Sequence, residues 1–504
     1  MITDSTKPHR TAHFLSCIVA LLLSLTPSLA SAAPLDLALD SLIGNAPLGN
    51  GKAAIHIIDL DSGRELGEYR SNELMIPASN MKLLSSGAAL LVLGDDFDYR
   101  TTFDILETDT GHSLIIRGSG DPALGDPAIF EDEEQSLTHE QLFDTLAQTL
   151  KDRGVESLNE IIVDDRIFDR TWTHPDWPID QLNRWYCAEI GGLNLQSNVI
   201  KMYPIPGSLG GTPLLEMQPN LPWIDVQVKA KTVTKGRDSA WVARPTPANR
   251  FTLYGNVRGK TEIPVSVHEP SSFAGGVFAF ALSERGIKIN TNGYIDDAVR
   301  LADRSEDWSS TPIVAISTPI SDVLNRTNTD SYNLYAESLI KRIGHEITGD
   351  PGSWENGASV VRLLLSEHVS ASAAQDTIVA DGSGMSRENK VSTRTLTSWM
   401  KVLAAQDSWD TFLESLAVPG EGTLKRRFTN AKLNSNLYAK SGYLNGVYAL
   451  SGVLEHPSGR RAAFSIILNN IKPGSGSRGA KPFIQDVVVE IDQWLEEQSG
   501  GFGG

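Results

Sequence analysis

Two cysteines in 504 residues leave no room for a disulfide framework. Basic residues are also short, 44 Lys and Arg against 62 Asp and Glu, a net charge of −18. Nucleic-acid affinity rests on cations that neutralise phosphates, so this balance excludes a nucleic-acid binder, and with it a basic face for anionic lipid. Hydrophobic residues at 40% and charged residues at 21% exclude both wholesale disorder and a multi-span membrane protein. Several familiar signatures are missing as well: no G-x-S-x-G elbow, H-E-x-x-H, C-x-x-C or Walker loop occurs, and the ten histidines lack metal-ligand spacing. Any hydrolytic chemistry must therefore manage without an obvious histidine base or metal.

What is there begins with a leader. Lys7 and Arg10 precede the largely apolar stretch Phe14 to Leu25, Pro27 breaks it, and Ala30-Ser31-Ala32 reads as a small-residue cleavage site. A stretch of twelve residues is too short to cross a bilayer, so residues 1–32 are expected to be a signal peptide, with no stable membrane insertion after cleavage. Cys17 would leave with it. Cys187 then stands alone, with no basic partner nearby in sequence, and reads as a buried structural residue rather than a catalytic thiol. A large exported chain without bridges suggests a bacterial envelope protein. A size near three typical domains predicts two or three of them.

Ala53 to Asp59 alternates, Asp61-Ser62-Gly63 turns, and Leu66 to Tyr69 returns, which predicts a hairpin. Pro77-Ala78-Ser79-Asn80-Met81-Lys82 then runs into Leu83, Leu84, Ala88, Ala89, Leu91 and Val92 at helical spacing. From Arg100 to about Glu306 short strands and turns prevail, with one clear helix from Leu137 to Arg153 and the apolar strand Ile161 to Val163 after it. The acidic run Glu131 to Glu134 reads as a solvated loop. Helical patterning returns at Ser331 to Ile343, stopping at Gly344, and again at Ala358 to His368 and Ser392 to Ala405. Leu437 to Lys440, Val447 to Leu454 and Arg461 to Leu468 form a meander, and Ile484, Val487, Val488, Ile491 and Leu495 make one apolar stripe on a closing helix. The first hairpin and the last meander are expected to share one sheet, with the middle of the chain inserted between them.

The chemistry is carried by three short motifs. Ser79 and Lys82 stand three apart at a helix start, so the amine shares a face with the hydroxyl and, if kept neutral, can take its proton. Alone this means little, because a chain with this much Ser and Lys holds S-x-x-K roughly once or twice by chance. Ser331-Tyr332-Asn333 before a helix has the S-x-N form, and Lys440-Ser441-Gly442 at the end of an apolar strand has the K-[ST]-G form. Singly these fit an N-cap Ser, a turn Asn or a surface Lys; together and in this order they are the companions of S-x-x-K in penicillin-binding proteins and serine β-lactamases. Lys440 would be a fixed cation that favours a substrate carboxylate and disfavours charge on Lys82. Gly442 would let an edge backbone approach the substrate, the amides of Ser79 and Tyr443 would form an oxyanion hole, Ser331 could relay a proton to the leaving amine, and Asn333 could hold both substrate and Lys82.

On these motifs the chain resembles the low-molecular-mass class C penicillin-binding proteins of the penicillin-binding protein 4 type, the S13 family of D-alanyl-D-alanine carboxypeptidases/endopeptidases. The 252-residue gap from Ser79 to Ser331 matches the extra domains of that family, as do Gly118-Ser119-Gly120-Asp121-Pro122, Asn333-Leu334-Tyr335-Ala336-Glu337 and Asp381-Gly382-Ser383-Gly384-Met385-Ser386-Arg387. Met385 stands where Leu is usual, and Ser441 where Thr is commoner.

The resemblance implies an α+β multidomain fold. A penicillin-binding/β-lactamase-like transpeptidase domain, an antiparallel sheet flanked by helices, would occupy 33–104 and 309–498. A nested pair of inserted domains, one β-rich and one small α/β, would occupy 105–308, and 499–504 would be a flexible tail. It implies a periplasmic enzyme without cofactor or metal that acts on peptidoglycan stem peptides through an acyl-enzyme on Ser79 and is acylated there by β-lactams. It also implies that Asp164, Phe168 and Arg387 hold the diaminopimelate side chain, next to Ser441, Gly442 and Tyr443. A serine β-lactamase and a non-catalytic peptidoglycan-binding scaffold are the alternatives; the long gap opposes the first, and the complete motif set opposes the second.

Overall fold

The computed structural model describes residues 34–130, 139–245, 247–310, 312–472 and 474–500. The expected leader 1–32, the acidic run 131–134 and residues 501–504 lie outside these. Ser499 and Gly500, read from sequence as tail, belong to the last helix, Lys481–Gly500.

Five antiparallel strands form the sheet that carries the site, in the order Asn436–Leu444, Val447–Glu455, Arg461–Asn469, Lys52–Asp59, Glu65–Tyr69. The hairpin from the start of the chain thus continues the meander from its end, with Ile55 opposite Ile466. Strand Lys52–Asp59 is buried on both faces. Ile55 and Ile57 enter the core beneath the last helix, together with Ile484, Val487, Val488, Ile491 and Leu495 of its apolar stripe. Ala54 and Ile58, on the other face by strand alternation, enter the opposite core.

That opposite core is built from helices. Lys82–Leu93 is buried from Lys82 through Leu90. Helix Thr393–Leu403 lies against it closely enough that a Cβ on Gly87 would come within 2.6 Å of Trp399 Nε1, which donates to Leu83 O at 2.9 Å. Helix Asn333–Thr348 packs across Lys82–Leu93 and on Trp354–His368. It runs past Gly344, where the sequence predicted a stop, and ends at Gly349 with φ +72°. Gly344 is instead a contact point: a Cβ there would lie 2.7 Å from Gly357 N of the neighbouring helix. The glycine serves packing, and the left-handed glycine that follows ends the helix.

Between these parts runs a second five-stranded sheet, in the order Val299–Leu301, Ile161–Asp164, Gly111–Arg117, Asp98–Thr108, Pro312–Pro319. Its outer antiparallel pair, Asp98–Thr108 with Pro312–Pro319, is where the chain leaves the first region and returns to it. Smaller sheets follow from Val199 onward, and Pro270–Glu284 fills the hydrophobic interior of this region. Among the described residues no helix is long and apolar enough to cross a membrane.

Candidate active site

Ser79 sits in a single 3₁₀ turn, Ala78–Met81, that leads into helix Lys82–Leu93. The turn is tight: Ala78 has φ +47°, and Gly384, at φ +83°, lies so close that a Cβ on it would overlap the Ala78 carbonyl. A left-handed alanine is a strained conformation that the surrounding packing holds in place. Lys82 lies one turn on, wholly buried. Its Nζ donates to Asn333 Oδ1 at 2.7 Å, to the Ser383 carbonyl at 2.9 Å and to Ser79 Oγ at 3.2 Å. Burial pushes the ammonium down to about 7, with the negative charges of Glu337 and Asp381 opposing. A lysine poised there supplies neutral amine near neutral pH.

Ser331 has φ +62°. The turn around it is fastened by Arg326, whose guanidinium pairs with Asp330, bonds Asp126 at 3.0 Å and lies 4.9 Å from the Tyr332 ring, while its carbonyl accepts from Tyr332 N. Asn333 opens the following helix. Its amide nitrogen donates to the Tyr186 carbonyl at 2.7 Å, so a segment of the middle region reaches the side chain that holds Lys82.

Lys440 lies on Asn436–Leu444, the outer strand of the site-bearing sheet. Asn80, beside the serine, donates to its carbonyl at 2.6 Å and ties strand to turn. Lys440 is also wholly buried, donates to Ser441 O at 3.0 Å, and is held well below the ordinary lysine range by burial and then by Lys82. The expectation of a permanent cation at Lys440 therefore meets a physical objection, because two ammonium groups this deep and this near oppose each other's charge. Gly442 is needed sterically: a Cβ would stand 2.8 Å from Pro77 O and 3.2 Å from Ser79 N.

Ser79, Ser331, Asn333, Ser441, Tyr443 and Arg387 all line one open cleft of about 840 Å³. Lys82, Lys440 and Gly442 are buried beneath it. Tyr443 is 63% exposed at the rim, and Arg387 donates to the Asn445 carbonyl at 2.5 Å. The same cleft is walled by Met385 of the Asp381–Arg387 motif, and by Asp176, Gln181, Trp185, Tyr186 and Thr423, which the sequence motifs do not include. The one signal available for Asp176, Gln181, Trp185 and Tyr186 was a cluster of aromatics, Trp172, Trp177, Trp185 and Tyr186, in an otherwise strand-like region.

Asp164 and Phe168 are not at the cleft. Burial works to raise the Asp164 pKa, but hydrogen bonds and charge from Arg166, with Arg117, hold the carboxyl below its usual range. Both of its oxygens are spent on those guanidiniums, at 2.7 to 2.9 Å. Phe168 is a core residue packed against Gly120 and Gly352. Its ring needs the space that both glycines leave. Among the described residues no group of three or more His, Cys, Asp or Glu could hold a metal ion. Cys187 is buried, and its thiol is pushed up to about 12 by desolvation and by the nearby Asp381 and Glu337.

Comparison with known proteins gives the family and the fold. The sequence profile of the D-Ala-D-Ala carboxypeptidase 3 (S13) family matches residues 35–490. The D-alanyl-D-alanine carboxypeptidase of Actinomadura sp. (strain R39) is 28% identical over 95% of this chain and 89% of its own length. The D-alanyl-D-alanine carboxypeptidase DacB of Haemophilus influenzae is 23% identical over 82% of this chain and 85% of its own. The crystal structure of penicillin binding protein 4 (dacB) from Haemophilus influenzae superposes with a TM-score of 0.73 at 22% identity, covering 91% of this chain and 98% of that one. The shared fold is multidomain and mixed α+β.

Proposed function

The chain belongs to the D-Ala-D-Ala carboxypeptidase 3 (S13) family, and we propose that it removes the terminal D-alanine from peptidoglycan stem peptides through an acyl-enzyme on Ser79. The observation that carries this reading is the set of three acceptors around Lys82 Nζ, at 2.7, 2.9 and 3.2 Å. A neutral amine has two N–H bonds and one lone pair. Asn333 Oδ1 and the Ser383 carbonyl can only accept, so they keep the two protons, and the lone pair is left for the Ser79 hydroxyl at the longest distance. Lys82 thus receives the Ser79 proton as Oγ attacks the D-alanyl carbonyl. The amides of Ser79 and Tyr443 bind the oxyanion, and Ser331 passes a proton to the departing D-alanine. A substrate carboxylate at Ser441 restores charge to Lys440 beneath it, since an anion favours the ammonium that burial disfavours. Water then releases the shortened peptide.

Cleavage of D-alanyl–diaminopimelate cross-links is proposed as a second outcome at the same serine. It is favoured by the cleft's openness beside Arg387, whose exposed guanidinium can meet the carboxylate of a long amino-acid side chain. β-Lactams would acylate Ser79 in the same way. The place of action would be the periplasm, reached through the leader at 1–32. We also propose the division 33–104 with 309–498 for the catalytic unit and 105–308 for the inserted pair, supported by the interior that the middle region builds around Pro270–Glu284, while Phe168, Trp177, Cys187 and Ile190 join the core of the catalytic helices.

Labelling with a fluorescent penicillin tests the nucleophile: covalent label on the wild type, none on Ser79→Ala. An unlabelled, folded wild type overturns the enzyme reading. Purified muropeptides followed by mass analysis separate the activities, because loss of one alanine and splitting of a dimer give different masses.

A further inference from the structure

Behind Lys82, on the side away from the cleft, lie two carboxylates that the reaction above does not use. Glu337 and Asp381 are both wholly buried. Glu337 accepts from Gly382 N at 2.8 Å, Ser383 N at 3.0 Å and Trp354 Nε1 at 2.8 Å. Asp381 accepts from Gly384 N at 2.7 Å, Ser386 N at 2.6 Å, Trp177 Nε1 at 2.9 Å and Asn389 Nδ2 at 2.7 Å. All seven contacts are donors. All four acceptor positions of Asp381 are filled, so a proton there would have to displace a donor; Glu337 keeps one free position on Oε1, and burial with Asp381 close by pushes its carboxyl up to about 7.

We propose that Glu337 and Asp381 are positioning residues for the acyl-transfer reaction, a pair of carboxyl groups that mould the 382–386 turn against Lys82 and bring negative charge near it. This rests on the reading of Lys82 as the base. The first effect is geometric. The backbone amides held by the two carboxylates belong to the segment whose Ser383 carbonyl receives Lys82, and to Gly384, which abuts the Ala78 carbonyl next to the nucleophile. The second is electrostatic. The hydrogen bonds of Lys82 go to Ser79, Asn333 and Ser383, so neither carboxylate touches it. A direct ion pair would lock the lysine as a cation, whereas charge one layer away only offsets part of the burial cost. Trp177 and Trp354, in edge contact at 6.0 Å, cover the pair and keep the field in a poorly screened interior.

Other groups bear on Lys82 from each neighbouring element: Ser79 before its own helix, Asn333 beside Glu337, Ser383 beside Asp381, and Lys440 from the edge strand. Of these only Lys440 is titratable, and burial with Lys82 holds it well below the ordinary lysine range. Cys187 feels the same two carboxylates from the middle region, and they help to keep it a thiol.

The test is the rate of labelling by a fluorescent penicillin across about pH 5 to 9, for wild type, Glu337→Gln and Asp381→Asn. Without one negative charge Lys82 loses its proton more readily, so the acid limb should move to lower pH, by about one unit in Asp381→Asn and by less in Glu337→Gln, whose carboxyl is itself partly protonated near pH 7. A limb that stays put while the rate drops equally at every pH overturns the proposal, and so does failure of both variants to fold, which would make the carboxylates supports for the chain alone. Lys82→Ala, run alongside, separates the two readings. Undiminished labelling there overturns Lys82 as base; lost labelling there with unmoved limbs in the carboxylate variants overturns only the role given to Glu337 and Asp381.

Discussion

Asn333 turns its amide nitrogen to the main-chain carbonyl of Tyr186, 2.7 Å away, across 147 residues of sequence. With its oxygen on Lys82, the amide has one orientation only, since a flip would set N–H against ammonium and carbonyl against carbonyl. The middle region is therefore part of the site's frame and more than a wall beside it.

Asn333→Ala removes both contacts and leaves the Tyr186 carbonyl unpaired. Unfolding in denaturant should show a loss of about 1–3 kcal/mol, and penicillin labelling should slow on the order of a hundredfold as Lys82 loses its anchor. Asn333→Asp should behave differently, because a carboxylate beside Lys82 holds it charged. Its acid limb should move to higher pH.

In the wild type, acylation should rise with pH through about 7 as Lys82 gives up its proton. The same group makes a stability prediction. With its folded value lowered from 10.5 to about 7, the unfolded chain binds the extra proton between those values. Wild type should therefore gain stability relative to Lys82→Met as pH rises from about 7 to 10.5, and the difference should level off on either side. Urea midpoints across that range check the sign.

Gly442→Ala should leave the fold standing but cut acylation at least tenfold. The new methyl would press on Pro77 O and Ser79 N at 2.8 and 3.2 Å, displacing the nucleophile and one oxyanion donor together. Labelling rates with matched circular dichroism would show it.

Arg387→Ala should weaken turnover of diaminopimelate-containing peptides more than it weakens penicillin acylation, given its place at the cleft wall away from Lys82. Equal losses for both would make Arg387 a structural residue holding the Asn445 carbonyl.

Asp164→Asn should leave both activities near normal and cost about 1–3 kcal/mol of stability, because Arg117 and Arg166 lose their shared partner. The carboxyl is held below its ordinary 3.8. Its contribution is present above that value and fades as pH falls through the lower folded one, so thermal melts of wild type and variant should converge in acid.

Much of the frame could be read in advance. The hairpin at 52–69, the meander at 436–469 and the apolar stripe of the last helix follow from local periodicity, and their boundaries in the structure differ by a few residues at most. Gly344 shows the limit. A glycine late in a helical pattern reads as a stop, and only the neighbouring helix reveals it as a contact. Asp164 and Phe168 show another: a short acidic-aromatic motif looks like a binding element until Arg117, from a strand 47 residues earlier, is seen to occupy the carboxylate. Tyr186 stood out only as one of a cluster of aromatics, and its role could not be read there, because what it contributes is a backbone carbonyl, which every residue has.

By itself the sequence determined which side chains could do chemistry here: a hydroxyl and an amine three residues apart, an amide and a second amine on later elements, and no histidine or metal set to rival them. The tertiary structure decided what those groups can do. Burial and two carboxyl groups out of contact set how tightly Lys82 holds its proton, and the Tyr186 carbonyl sets which way Asn333 faces. The reason is that proton affinity and hydrogen-bond direction depend on the solvent removed and the charges brought near, and both are properties of the packed chain rather than of its order.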